Sequence, residues 1–590
     1  MRSTFPPTPV TRLAVALALT CSLASAATPP LNLPGPAQAR AGDIVRTYLK
    51  LLKQAVPKES DSVPDAERTD FGLLPAQLAR TIDDLKALIC CHSGGPWPTV
   101  IQASLQSAVA GFERADAALT AGSSDASSRY LVAVLQAMAA GQDALDQTLD
   151  LAASTGTTEL VTLLIPAVQS AREGARRSSR SQIDLALTAG VSPGRLAPAE
   201  EALRQGDALH LAGDYGPAIV QYANALGFAA DTVVFSMSLF EQNLKSVFDF
   251  ETVGWAYALS QGGQSARSDA VGSARTAADP PSTAQSPTRK MHLASVSKTM
   301  TAIVMQRLLA DLGISVDSAI GPWLPSHWTR GAGVDDISFR QLMTHRSGIG
   351  QMVPSGSSGK FSSYEALRGL VAGGVVDKRF DYDNANFAMM RVLSARLQGI
   401  DLGQPLYAKA DQGALAATMF LTWAQSLFGS VGVPFSCEPL ASAPTIDYRF
   451  PPDGNPGNVD GAKSLSCGGF GVFMSASDLA RVLTNLRYTG NLLSAATYQQ
   501  MKSGYLGFAN PLYNYDYAQG VFGKYFVHGG DWDYTSGSSG GLNTCVMLFP
   551  INVEAAIVIN SSGKASGVGF SRGYQCSVLK WAFENAWVTP

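Results

Sequence analysis

The chain changes character at about residue 233, and that break constrains its fold more than anything else in the sequence. From about residue 40 to 230, apolar residues recur at helical spacing. Ile44, Tyr48, Leu51 and Leu52 form one such face, and Leu131, Val134, Leu135, Met138 and Leu145 form another. Glycine and proline gather only at breaks such as Gly94-Gly95-Pro96 and Gly122-Ser123-Ser124. Beyond residue 233, strand-like runs stand at both ends of the remaining sequence with helical patterns between them. That order predicts an α/β sheet closed by a terminal helix, with a helical lobe inserted. A chain of 590 residues outgrows a single core. The expected organisation is therefore an all-α domain over 28–232 followed by a mixed domain over 233–590.

Within these regions, Gly213 is expected to turn the chain between two antiparallel helices. One tetratricopeptide-like copy is visible there, and because arrays need about three repeats, ordinary helix packing is preferred. In the second region, helices are expected over 237–247, 295–312 and 575–586. Strands are expected over 252–259, 524–527, 543–548 and 554–559. Residues 261–288 read as a polar Gly/Ser/Ala-rich loop. Residues 402–463, rich in Pro, Gly and Ser, read as an insertion or lid.

Residues 1–27 read as an export signal. Arg2 and Arg12 precede the apolar run Leu13 to Leu23, and small residues follow at Ala24-Ser25-Ala26-Ala27. A secreted or periplasmic location is expected, with no membrane span once the signal is removed. Removal would leave six of the seven cysteines, an even number that favours disulfides in an oxidising compartment. Cys545, on an expected strand, and Cys576, on the helix expected to cover it, should pair, and Cys437 should pair with Cys467. Cys90 and Cys91 are left for a local bridge or free thiols. No metal site and no cofactor are expected, because no CxxC pair or HExxH helix occurs. A net charge of −3 without a basic stripe argues against nucleic acid as a partner. The helical region offers a surface for a protein partner.

Ser295-Val296-Ser297-Lys298 is an SxxK pattern that opens a long helical stretch. Positions three apart share a helix face, so an amine can sit against the hydroxyl. A helix N-terminus supplies unpaired N–H groups for an oxyanion, and a desolvated lysine can take the serine proton. Ser357…Lys360, Ser561…Lys564 and Ser577…Lys580 match the same pattern, but the first two lie in Gly/Ser-rich loops and the third inside the closing helix. Tyr382-Asp383-Asn384 adds a phenol suited to proton relay and an amide suited to orienting an acyl substrate. His528-Gly529-Gly530, expected at the end of a strand, lets the backbone approach a ligand. Gly537-Ser538-Ser539-Gly540-Gly541 offers a GxSxG match, but that fold needs a histidine after its serine and His528 is the last one. His345 and Ser347 are read as structural, and His292 and His327 as packing or surface residues.

Ala294-Ser-Val-Ser-Lys298-Thr, Ile337 to Gly348, Tyr382-Asp-Asn384, Gly468-Gly-Phe-Gly471 with Ser477-Asp-Leu-Ala-Arg481, and His528-Gly-Gly530 together resemble the β-lactamase-related serine hydrolases. That superfamily includes class C β-lactamases, penicillin-binding proteins, DD-peptidases, D-aminopeptidases and esterases. The resemblance covers about residues 234–590. It implies a mainly antiparallel sheet flanked by helices, acylation of Ser295, Lys298 as base and Tyr382 as proton shuttle. It also implies substrate contacts at Asn384, His528 and Gly530, and an oxyanion hole from the backbone N–H groups of Ser295 and Asp531. Two departures stand out. The family usually follows its tyrosine motif with Asn-x-Gly-Tyr, where this chain has Asn384-Ala385-Asn386-Phe387. His528 stands where many relatives carry a lysine, which favours ester, amide or D-amino-acid peptide substrates lacking a required carboxylate. The alternative is a catalytically silent scaffold on the same fold.

Overall fold

The structure, a computed structural model, describes residues 73–90, 97–123, 127–349, 362–404, 411–440, 444–513, 515–533, 540–562 and 574–590. The expected export signal, the 44–52 face, Cys91, His92 and the 538–539 serines lie outside the described residues. The helical region comprises α1 (Leu74–Cys90), α2 (Thr99–Ala121), α3 (Tyr130–Ser154), α4 (Thr158–Thr188), α5 (Pro193–Ala212) and α6 (Tyr215–Ala230). Helices α2 and α3 approach so closely that a Cβ on Gly111 would lie 2.4 Å from the Cα of Gly141. Helices α5 and α6 form the expected hairpin, turned by Gly213 at φ 96°.

Helix α7 (Met237–Glu251), capped by the Ser236 hydroxyl accepting from Leu239 N–H, leads into the sheet. Its strands are β1 (Gly254–Gln261), β2 (Gln264–Arg275), β3 (Phe526–Asp533), β4 (Gly541–Leu548) and β5 (Val553–Ile559). They pair antiparallel in the order β3-β4-β5-β1-β2. Three expectations need correction. The polar loop expected over 261–288 contains strand β2, joined to β1 by Gly262 and Gly263 at φ 57° and 80°. Two consecutive positive-φ glycines make the tight hairpin turn that suits strand twist. The supposed insertion over 402–463 contains the helix α10 (Gln412–Gly429), whose buried Ala416, Phe420, Ala424, Leu427 and Phe428 keep helical spacing. His528-Gly529-Gly530 lies inside β3 rather than at a strand end.

Both faces of the inner strands β1, β4 and β5 are buried, so their residues alternate between two cores. Ala256, Ala258, Val546, Ala556 and Val558 face the helical lobe that carries α8 (Ser297–Asp311), α9 (Asn384–Leu397) and α11 (Ala476–Tyr488). Trp255, Tyr257, Cys545, Met547, Ala555 and Ile557 face the other way, onto α7 and the closing helix α12 (Tyr574–Glu584). That second core runs without interruption into the α1–α6 helices, from Leu74 to Trp587.

Polar contacts reinforce the junction. Lys502 donates to Thr120 O at 2.9 Å, and Lys524 donates to the Thr120 hydroxyl at 2.8 Å and meets Asp116 at 2.7 Å. Both cations therefore sit at the C-terminal end of α2, where carbonyls lack helical partners and the helix dipole is negative. Cys545–Cys576 and Cys437–Cys467 are bonded as expected. Cys90 is also disulfide-bonded.

Candidate active site

Helix α8 is expected from sequence to start at Ser295. Instead a 3-10 turn, Ala294–Val296, precedes it, and the helix is buried on nearly every side. Ala294 sits at φ 45°, an unusual backbone state for a non-glycine residue. The turn leaves Ser295 partly accessible between buried neighbours. Strain of this kind collects at functional sites.

Lys298 lies one turn further on and is fully buried. Its Nζ is 3.0 Å from Ser295 Oγ, 2.6 Å from Asn384 Oδ1 and 2.7 Å from Gly469 O. Burial pulls its pKa down to about 7, against the partly opposing charge of Asp383. A neutral amine has two hydrogens and one lone pair. With the hydrogens donated to Asn384 Oδ1 and Gly469 O, the lone pair is left for the serine hydroxyl.

Asn384 is the first residue of α9, and Asp383 caps that helix by accepting from Ala385 N–H at 2.6 Å. This short polar cap starts the helix two residues after Tyr382, with the phenol toward Ser295 and the amide toward Lys298. Tyr382 shares a hydrogen bond with the Ser295 side chain, and its ring centroid is 4.7 Å from Lys298 Nζ. Although 39% of the residue is exposed, the surroundings of the phenol raise its pKa, burial leading.

Strand β3 forms the opposite wall. A Cβ on Gly530 would lie 2.4 Å from both Leu293 O and Thr544 Oγ1 and 3.0 Å from Ser295 N, so only glycine lets the strand come this close to the serine turn. Asp531 follows, paired in register with Asn543. The Gln575 side-chain amide, on α12, donates to Gly530 O at 3.1 Å and Thr544 O at 3.0 Å. The His528 ring centroid is 6.5 Å from that of Tyr382. Its Nδ1 faces Gly529 O at 2.8 Å and donates to it in the neutral ring. Burial and then the Lys298 charge push its pKa down to about 3, so it is neutral at physiological pH. The predicted site residues Ser295, Lys298, Tyr382, Asn384, His528 and Gly530 are thus brought together, with Asp531 next to Gly530 on the strand. Among the described residues, no group of three or more His, Cys, Asp or Glu could hold a metal ion.

The family model described as beta-lactamase matches residues 240–574, more than half of the chain. The chain belongs to the beta-lactamase family. The match begins after α6, so the helical region lies outside it.

No curated protein matches. Solved structures similar to this beta-lactamase-family chain include a class C beta-lactamase from Rhodobacter sphaeroides, at 14% identity and TM-score 0.40, covering 59% of this chain and 97% of that one. A beta-lactamase/D-alanine carboxypeptidase from Yersinia pestis has 14% identity and TM-score 0.43, covering 60% and 99%. EstCE1, a hydrolase with promiscuous acyltransferase activity, has 15% identity and TM-score 0.42, covering 59% and 99%.

Sequence reasoning missed three participants in this beta-lactamase-family site. Gly469, whose carbonyl holds Lys298, lies in the Gly468-Gly-Phe-Gly471 motif, where adjacent glycines signal close backbone approach. Gln575 has no sequence signal. His345, read as structural, lies against Tyr382 with ring centroids 4.3 Å apart. His292 is buried as a packing residue, accepting from Gly471 N–H at 3.0 Å and facing Asp460 at 3.2 Å.

Proposed function

We propose that this protein is a serine hydrolase that works through an acyl-enzyme on esters, or on amides and D-amino-acid peptides without a required carboxylate. One observation carries the reading: a fully buried Lys298 amine, with pKa lowered to about 7, stands 3.0 Å from Ser295 Oγ. Ser295 Oγ attacks the acyl carbon as its proton passes to Lys298 Nζ. The N–H groups of Ser295 and Asp531 receive the developing oxyanion. Collapse breaks the bond to the leaving group, which takes a proton from Tyr382, itself resupplied by Lys298. Water then attacks the acyl-serine by the same proton path in reverse, releasing the acid and restoring Ser295 O–H. Asn384 Oδ1 is committed to Lys298, so its contact with an acyl chain uses Nδ2.

A neutral His528 supports substrates without a carboxylate at that position, since it offers hydrogen bonding but no Coulomb attraction. Export to an oxidising compartment is part of the proposal, supported by the two disulfides between described cysteines. No helix among the described residues is long and apolar enough to cross a membrane.

The test is labelling with a fluorophosphonate, read by peptide mapping, alongside hydrolysis of nitrophenyl butyrate. Ser295 should carry the label, and Ser295→Ala should abolish turnover. Lys298→Ala should lose at least about a hundredfold. An unlabelled, folded wild type, or full activity in Ser295→Ala, overturns the assignment.

A further inference from the structure

We infer that His345 is the positioning residue for Tyr382, holding the chain on both sides of the phenol; the inference rests on the acyl-transfer reading above. His345 carbonyl oxygen accepts from Asp381 N–H at 2.8 Å. His345 Nδ1 accepts from Asp383 N–H at 3.2 Å. The two residues flanking Tyr382 therefore hang from one residue, and the Tyr382 ring lies on the imidazole between them. Phe387 packs on the same imidazole at 5.2 Å. Asn386 Nδ2 also approaches Nδ1, at 3.4 Å, and Ser347 Oγ donates to Asn386 Oδ1 at 2.5 Å.

This geometry needs a particular residue. His345 occupies φ 57°, and its ring lies against Tyr382 and Asp383. Only 7% of the residue is exposed. Because Nδ1 accepts, the proton of the neutral ring is on Nε2. Nε2 has no hydrogen-bond partner among the described residues. Burial, then the charge of Lys298, holds the ring well below the ordinary histidine pKa, so Nδ1 stays an acceptor. His345 does not touch the serine. It acts by fixing where the Tyr382 hydroxyl stands.

The test separates positioning from general structural support by varying the leaving group. Ethyl butyrate and nitrophenyl butyrate give the same acyl-enzyme, and kcat/KM reports acylation for each. Ethoxide leaves only with a proton from the relay, whereas nitrophenolate needs none. His345→Phe keeps the ring and removes the acceptor. It should lose about thirtyfold or more on the ethyl ester and less than about fivefold on the nitrophenyl ester, the first being part of the roughly 100- to 10,000-fold that a positioned general acid contributes. Tyr382→Phe should show the same asymmetry. Adding His345→Phe to it should cost no more than about twofold further, because residues acting as a unit are non-additive.

His345→Asn tolerates positive φ and restores an acceptor for Asp383 N–H. It should recover most of the ethyl-ester rate. If the Phe variant fails to fold, His345→Gly, which also tolerates that φ, replaces it with the same expected asymmetry. Equal losses on both esters, additivity with Tyr382→Phe, or no rescue by Asn overturns the inference while leaving the hydrolase reading intact. A wild type that hydrolyses neither ester and takes no label at Ser295 overturns the hydrolase reading itself, and this inference with it.

Discussion

If Lys298 must be neutral to take the serine proton, its buried pKa sets the acid limb of activity. With a pKa of about 7, the amine is neutral in about a tenth of molecules at pH 6 and about nine tenths at pH 8. An ordinary lysine would be neutral in only about 0.3% at pH 8, so burial raises the competent fraction about 300-fold. The two site histidines do not compete for this limb, since His528 is pushed to about 3 and His345 is held well below its usual value.

Initial rates of nitrophenyl butyrate hydrolysis between pH 5 and 9, corrected for spontaneous hydrolysis, should therefore rise about tenfold per pH unit to a single bend near pH 7. Asp383 is the carboxylate whose charge pulls Lys298 upward, so Asp383→Asn should move the bend to lower pH without removing it. A bend that disappears in Asp383→Asn assigns the limb to that carboxyl and refutes the role of Lys298; a rate still climbing about tenfold per pH unit at pH 9 refutes the burial effect.

The same shift has a stability sign. Below about pH 7 both folded and unfolded chains hold the Lys298 proton, and between about 7 and 10.5 only the unfolded chain does. This lysine therefore makes stability rise with pH across that window, by about 1.4 kcal/mol per pH unit. Lys298→Met should remove that part of the slope in denaturant titrations at pH 7.5 and 9.

Three further outcomes follow from the geometry. Gly530→Ala places a Cβ 2.4 Å from Leu293 O and Thr544 Oγ1, and should cut kcat at least about tenfold, checked by steady-state kinetics. Replacing Cys545 and Cys576 together by alanine opens a link spanning 31 residues, and should cost about 3–4 kcal/mol in urea denaturation under oxidising conditions. Asp116→Ala leaves Lys524 without its carboxylate. It should cost about 2 kcal/mol, less than a fully buried pair because Asp116 is partly exposed, with protease cleavage in α1–α2 preceding cleavage of the sheet.

The site was legible in sequence because its chemistry is local. Ser295 and Lys298 lie one helical turn apart, and Tyr382 and Asn384 flank a helix cap, so three short motifs carry most of it. The remaining participants act through the fold. Gln575 reaches Gly530 only because α12 packs behind β3, and no spacing in sequence announces that contact. His345 reads as structural in the sequence because the hydrogen bonds that tie it to the residues flanking Tyr382 run to backbone N–H groups, which any residue supplies. Strand β2 was missed for a different reason. Its Gln264–Arg275 run is mostly polar and exposed, so hydrophobic alternation is weak, and only the Gly262-Gly263 turn marks it. Helix α10 was hidden by the proline-, glycine- and serine-rich sequence around it, although its own apolar residues keep the helical period.

The uninterrupted core behind the sheet bears on how this chain can be divided. A fragment beginning near residue 234 would retain every motif residue and the whole family match. It would also lay bare the aromatic and aliphatic surface that α1–α6 cover, together with Lys502 and Lys524 stripped of Thr120 and Asp116. A patch that large on a soluble monomer drives association. The shortened hydrolase should therefore collect in the insoluble fraction, and co-expressing residues 28–232 as a separate polypeptide should return it to solution.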